Sequence, residues 1–355
     1  MSSIYLAGTA KNIHPNHDFI GVAPELVRAL SSLNHSFEPL QQSSIFISLN
    51  HSRSKYQSTC KGSSIKKRIL IRIEPDSVHP IQFNEKIVTA YDLVITPGGV
   101  ADIQSSSTFY STPYRPSANQ LYPRQSDLDL KEFVRRQIES QSLDIEHWKN
   151  RSKEIAFIAS NKVSPSAKNN YRIRQDLVRS NSCHSLDVYG EGWDRNLIAK
   201  FANSLRLFRF SLKSGVFPNL QSIFSGMLWN YPKTFGFISD KHQVLADYKF
   251  NLIIENSNNF FTEKLLDALV NGCVPIYYGP RLEAFGIPDD VYIRFDGTLI
   301  DAQKALASLD EKNLLKIKKA GKEFITNQEF VDCFAADRIY SRMAQEIDRF
   351  LVGAT

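Results

Sequence analysis

Cysteine is scarce: the chain has four in 355 residues, Cys60, Cys183, Cys273 and Cys333, and no C-x-x-C pair among them. That spacing supports neither a disulfide framework nor a thiolate zinc cage, and free thiols in a reducing compartment are the expectation. Glycine, at 16, and proline, at 15, are too few for a collagen-like or low-complexity chain. Long apolar runs are missing as well. The opening MSSIYLAGTAKNIHPNHDF breaks off after six or seven residues, whereas a signal core needs ~7–15 and a membrane span ~20. The expected location is therefore cytoplasmic. A large excess of one charge is also absent: Lys+Arg 43 against Asp+Glu 37 leaves +6. The sign favours an anionic ligand, an acidic glycolipid surface or nucleic acid over a cationic partner, without choosing among them. Nucleic acid is set aside, because no recognition motif or aromatic–basic platform accompanies the charge.

What is present is an ordinary soluble composition, 42% hydrophobic and 23% charged. The length suggests two domains at roughly 150 residues each. Short apolar runs alternate with helix-like stretches throughout, the pattern of βα units and a parallel sheet. In the first half, strands are expected at Ile4–Ala7, Ile45–Leu49, Arg68–Ile73 and Tyr91–Thr96, with a helix at Val22–Leu33. The Ser-, Pro- and Tyr-rich stretch 98–124 reads as a long surface loop, followed by a helix from Asp129 to about Gln141. The charged run His147–Glu154 precedes a fresh strand and sets the expected boundary: a first domain 1–148, a second 149–330 and a C-terminal helix 331–355 docked on the fold. The second half repeats the scheme with strands at Ile155–Ala159, Leu186–Tyr189, Phe250–Glu255, Val274–Tyr278 and Val291–Phe295. Two such domains in series place a cleft between them, with ligands at the carboxyl ends of strands. Ile339–Leu351 carries apolar residues at helical spacing among charges, a surface helix rather than a span.

The most informative stretch is YKFNLIIENSNNFFTEKLLDALVNGCVPIYYGP, Tyr248 to Pro280. It reads strand, polar loop, helix, strand, with Thr262 as N-cap and Glu263 and Lys264 in the first helical turn. A helix start offers unpaired N–H groups and partial positive charge, so a diphosphate could rest there beside the Lys264 ammonium while Glu263 accepts from sugar hydroxyls. Read from helix statistics alone, Glu263 complements the dipole and Lys264 is a solvated charge.

This stretch resembles the donor-binding signature of the α-1,3-fucosyltransferase family, glycosyltransferase family 10. The matching residues are Glu255, Asn256 and Ser257, then Thr262, Glu263 and Lys264, then Val274, Pro275, Ile276 and Gly279. Upstream, EIAFIASN, NNYRIRQDLV and LDVYGEGW resemble the opening of the same catalytic domain. Arg172 best matches the family arginine that binds donor phosphates, and Arg174 is its rival, since only register separates them. In the first half, RILIRIEPDSVHP ends a strand at Glu74, directly before Pro75, a context comparable to the E-x-P in which the family places an acidic residue, which makes Glu74 the general-base candidate. Its alternative is a loop carboxylate paired with Arg72 or Lys86. One departure is Phe260, where the family often has Tyr two residues before the Thr of T-E-K; a phenolic hydrogen bond to the donor is then missing.

The resemblance implies an α/β protein of the GT-B type, two Rossmann-like domains facing across a cleft. It implies an inverting transferase that moves L-fucose from GDP-fucose to a hydroxyl of an acceptor oligosaccharide or glycolipid, the latter leaving a peripheral membrane contact open. The donor site is Arg172 or Arg174 with Glu255, Asn256, Ser257, Thr262, Glu263 and Lys264; no metal or other cofactor is implied, because side-chain cations neutralise the diphosphate. The alternatives are another nucleotide-sugar donor, or a non-catalytic glycan- or nucleotide-binding module. Three further signals carry little. Asp127–Leu128–Asp129 spells D-x-D but sits where an Asp caps a helix. His14 and His17 lack a third metal ligand at matching spacing. The lysines 312, 316, 318, 319 and 322 form the solvated face of a late helix.

Overall fold

The computed structural model describes residues 2–8, 24–61, 64–98, 108–110, 130–164, 166, 168–181, 186–193, 205, 231 and 234–353. The stretch containing Asp127–Leu128–Asp129, most of the expected loop 98–124, His14, His17 and Cys183 lie outside them. Two compact units emerge: residues 1–127 together with 332–355, and residues 128–331.

The first unit is built on a six-stranded parallel sheet of β1 (Ser3–Gly8), β2 (Ser36–Phe37), β3 (Ile45–Leu49), β4 (Lys67–Ile71), β5 (Leu93–Pro97) and β6 (Thr108–Tyr110), in the order β2-β1-β3-β4-β5-β6. All five residues of β3 and all five of β5 are buried. Strands covered on both faces read as unbroken apolar runs, which is why these were visible in the sequence. β2 and β6 were not expected, and β6 interrupts the stretch read as loop. Helix Pro24–Ser32 buries Leu26 and Leu30, four apart on one face. The last helix, Ala336–Val352, buries Ile339, Tyr340, Met343, Ala344 and Ile347 in the same core cluster as Ile4, Leu30, Ile47 and Ile69. It is a wall of the first unit's core.

The second unit carries a five-stranded parallel sheet of β7 (Lys153–Ile158), β8 (Asp187–Tyr189), β9 (Tyr248–Ile254), β10 (Val274–Tyr278) and β11 (Ile293–Arg294), in the order β11-β10-β9-β7-β8. Counted from the start of each unit, both sheets begin 2-1-3-4-5, the doubly wound order whose direction reverses between the first and third strands. In the second unit that switch point lies between β7 and β9. Helices Leu130–Glu139 and Ile145–Lys149, expected in the first domain, belong here. The buried Trp148 Nε1 donates to Lys249 O at 2.8 Å, and Arg151 donates to Tyr248 O (2.7 Å), Asn271 O (2.6 Å) and Ser142 O (3.0 Å). These bonds strap residues 142–151 to the second sheet. Among the described residues, no helix is long and apolar enough to cross a membrane.

One lysine departs from the expected solvated face. In helix Glu311–Thr326, Lys312, Lys316 and Lys319 are exposed and Lys322 partly so, but Lys318 is 4% exposed. It stands with Gly321 and Ile325 on the buried stripe. A Cβ added at Gly272, whose φ of 71° suits glycine, would stand 2.6 Å from Ser142 O and 3.0 Å from both Arg151 Nη2 and Lys318 Nζ, so two cations crowd this turn. Burial, with Arg151 adding to it, pushes the Lys318 pKa down to about 7. Between pH 7 and the ordinary lysine value of 10.5 the unfolded chain holds the extra proton, so stability rises with pH across that window. The penalty is in full force at and below pH 7. Lys318→Met, similar in length and apolar, is expected to raise stability by roughly 1–3 kcal/mol at pH 7, with the gain shrinking toward pH 10. Thermal unfolding of both proteins across this range measures it.

Candidate functional site

At the carboxyl end of β9 the chain turns through Glu255-Asn256-Ser257 and returns to helix Lys264–Val270. Glu255 is 0% exposed, and a carboxylate that deep requires partners. It has three: Thr262 N donates to Oε1 (3.0 Å), while Thr262 Oγ1 (2.6 Å) and Lys264 Nζ (3.2 Å) donate to Oε2. Lys264 Nζ also reaches Thr262 Oγ1 at 2.6 Å. Thr262 is therefore not the N-cap that the sequence suggested. Glu263 holds that position without a side-chain cap bond, and the Thr262 hydroxyl is taken by the buried carboxylate.

The two arginine candidates part company. Residues two apart on a helix point about 200° from each other, and in helix Tyr171–Ser180 they do so with different fates. Arg174 is 3% exposed; its Nε and Nη2 donate to Ile254 O (3.1 and 2.5 Å) and its Nη2 to Asn256 Oδ1 (2.8 Å). Burial lowers its pKa, with Tyr171, Glu255 and Glu263 working against the shift. Arg172 stays exposed, 3.7 Å from Asp176, which Arg179 also contacts. The helix is further tied to the turn by Asn170, whose N–H donates to Asn256 O at 2.9 Å and whose Nδ2 donates to Asn258 Oδ1 at 2.9 Å. Ser257 is fully buried, bridges Phe260 and accepts from Asn259 N–H at 3.4 Å, so it shapes the turn. Phe260 is buried too.

Two bonded groups, Arg174 with Asn256 and Glu255 with Thr262 and Lys264, thus meet at consecutive residues 255 and 256 at the switch point of the second sheet, where doubly wound proteins bind ligands. Glu263 adjoins them in the chain, with its carboxylate toward Lys241. Lys241 Nζ lies 3.9 Å from Glu263 Oε1 and 2.5 Å from Asp267 Oδ2. Burial works to raise the Glu263 pKa, but Lys264, Lys241 and Lys162 outweigh it and hold the carboxyl below its ordinary range. Burial likewise opposes the Lys241 charge, and Asp267 and Glu263 outweigh it, so its pKa rises. Lys241 and Asp267 belong to no motif; their only signal was two charges beside apolar stretches. Glu74 lies in the first unit, just past β4 and partly buried.

Gly279 closes the signature. A Cβ there would stand 2.5 Å from Tyr277 Oη and 2.7 Å from Glu255 Cγ. Tyr277 and Glu255 are both fully buried and cannot swing away. Gly279→Ala is expected to cost roughly 1–3 kcal/mol by overpacking, and to disturb Glu255 with it. A fall in thermal stability accompanied by weaker ligand binding is the expected result; an unchanged melting curve would contradict this packing.

Residues 232–318 match the model described as Glycosyltransferase family 10 (fucosyltransferase) C-term. That stretch is similar to the C-terminal part of family 10 glycosyltransferases. Among curated proteins, no sequence relative matches. Among solved structures, Anabaena HepE in complex with UDP and glucose aligns over 98% of this chain and 100% of its own, with TM-score 0.54 and 10% identity. An α1,3-fucosyltransferase with GDP-fucose aligns over 99% of this chain and 90% of its own, with TM-score 0.52 and 13% identity. Another α1,3-fucosyltransferase structure aligns over 99% and 89%, with TM-score 0.53 and 14% identity. At such identities the likeness speaks for the fold, which is the expected α/β fold of the GT-B type. The family 10 match covers the whole switch-point turn, and a glycosyltransferase is the enzyme class it supports.

Proposed function

We propose that this glycosyltransferase transfers L-fucose from GDP-fucose to a hydroxyl of an acceptor glycan, with inversion at the anomeric carbon. The observation that carries the reading is the bonded cluster Glu255–Thr262–Lys264, inside the family 10 match, with Asn256 of the same turn held by Arg174 from the helix outside it. Lys264 has three N–H donors. Two are engaged, with Glu255 and Thr262, and the third is left for a donor phosphate. Helix Lys264–Val270 has only seven residues, so the side-chain cation, rather than the helix terminus, is the main source of positive charge. Arg172, solvent-facing on the first turn of its helix, is the arginine at liberty to meet a phosphate; Arg174 fixes the turn.

In the reaction, Glu74 takes the proton of the acceptor hydroxyl as that oxygen attacks the anomeric carbon. The bond to the diphosphate breaks and GDP departs with its electron pair. Lys264 and the arginine stabilise the charge growing on the leaving group, an interaction stronger in the transition state than before it. Side-chain cations supply that charge, so the reading calls for no metal. The acceptor class, a soluble oligosaccharide or a glycolipid presented at a membrane surface, follows from the same proposal.

A second reading has a specific observation behind it. Phe260 stands where the family often offers a phenol, and HepE, of comparable structural likeness, was solved with UDP and glucose. A UDP-linked donor is the alternative. Incubating the purified chain with a panel of sugar nucleotides and mixed acceptor glycans separates the two. Consumption of GDP-fucose only when an acceptor is present supports the first reading. Consumption of a UDP-sugar instead supports the second, and no acceptor-dependent turnover with any donor removes both.

A further inference from the structure

Glu74 sits on a loop, past the last ladder bond of β4, yet its backbone is held on both sides by buried side-chain amides. Asn50 Oδ1 accepts from Ile73 N–H at 3.0 Å and from Glu74 N–H at 3.1 Å. Gln82 Nε2 donates to Glu74 O at 2.7 Å. The clamps are themselves braced. Asn50 N–H donates to Ile71 O at 2.8 Å, and the Asn50 carbonyl accepts from Ser48 Oγ at 2.6 Å. Gln82 is 0% exposed and its Oε1 accepts from His51 N–H at 3.1 Å, while the His51 carbonyl meets His79 Nε2 at 2.7 Å. The His51 Nδ1 lies 2.9 Å from Tyr91 Oη.

Two features go beyond what tying down a loop requires. Asn50 has φ of 57°, a left-handed conformation that non-glycine residues adopt at a cost, and asparagine among them most readily. One group of each amide, Asn50 Oδ1 and Gln82 Nε2, goes to the same short segment from different parts of the chain, one to its N–H groups and the other to its carbonyl. An over-determined backbone at one residue is what a group needs if its carboxylate must be presented within about 0.5 Å of a working position.

We infer that Asn50 and Gln82 are positioning residues for Glu74, fixing its main chain through both its N–H and its C=O so that the carboxylate is offered to the acceptor hydroxyl in one place. The inference rests on Glu74 being the general base, and the test separates the two. Asn50→Gly keeps the left-handed backbone without strain and removes the acceptor; Asn50→Asp keeps an acceptor oxygen for both N–H groups; Gln82→Met keeps length and removes the donor. With kcat expressed per folded protein, measured by thermal unfolding of the same preparation, Asn50→Gly and Gln82→Met are expected to lose roughly 10–100-fold in kcat, with donor KM within about twofold of the parent. Asn50→Asp is expected to recover to within about threefold. If Asn50→Gly does not fold, Gln82→Met and the milder Gln82→Asn decide. Glu74→Gln abolishing turnover while these variants keep kcat within about twofold would overturn the inference and leave the base reading standing. Failure of Asn50→Asp to recover would also overturn it, since the acceptor would not be what matters. Turnover surviving Glu74→Gln would sink the base reading and the inference together.

Discussion

Glu74→Gln is expected to lower turnover by roughly 10²–10⁴-fold while leaving donor affinity nearly unchanged. Glutamine has the same shape and can still accept a hydrogen bond, but its amide cannot take the proton released as the acceptor oxygen attacks. The bonds from Asn50 Oδ1 and Gln82 Nε2 reach the main chain of residue 74 and not its side chain, so they survive the change. The larger loss should therefore fall on kcat. Measuring kcat, donor KM and thermal stability on one preparation decides the matter. A fall in melting temperature with turnover within a few-fold of the parent would assign Glu74 a structural role, and Asp76 or Glu85 would be tested as base instead.

Lys264→Ala is expected to do two things at once. GDP binding should weaken by roughly 10–100-fold, the worth of one charge-assisted contact to phosphate. The protein should also lose about 2–4 kcal/mol of stability, because Lys264 is the ammonium opposite a wholly buried Glu255 carboxylate, and removing one partner of a buried pair strands the other. From the sequence, Lys264 in an open first turn would have lost binding with the fold untouched; the salt bridge at 3.2 Å changes that expectation. Calorimetry with GDP and thermal unfolding read the two effects separately. Unchanged GDP affinity would remove the phosphate role, whereas an unchanged melting temperature would mean that Thr262 alone satisfies Glu255.

Much of the fold could be read before any coordinates because parallel strands buried on both faces leave unbroken apolar runs. IFISL and VPIYY were bounded to the residue. Ser36–Phe37 and Thr108–Tyr110 are too short to leave such a trace and owe their strand character to neighbours. The donor signature was legible as a composite motif, but its wiring was not. Thr262 has the side chain of an N-cap, and only the buried Glu255 seven residues upstream diverts it. The choice between Arg172 and Arg174 needed the helix phase relative to β9. Lys241 is remote in sequence from Glu263, and no spacing rule links them. Lys318 differs in kind: its spacing to Gly321 and Ile325 places it on the buried stripe, while the four lysines around it are exposed or partly exposed, as a run of charge suggests.

The placement of helix Ala336–Val352 bears on how the chain comes to be folded. The first unit's core contains Ile339, Tyr340, Met343 and Ile347, so residues 1–127, made before them, lack one wall until residues 336–352 have followed. The segment 128–331 contains its own sheet and core and can close first, reversing the usual N-to-C order of domain folding. Until the tail arrives, the apolar strands of the first sheet and the Leu26–Leu30 face stand open, a period in which the nascent chain is exposed to misassociation and dependent on holding factors. Removing residues 336–352 would then damage the unit farthest from them in sequence.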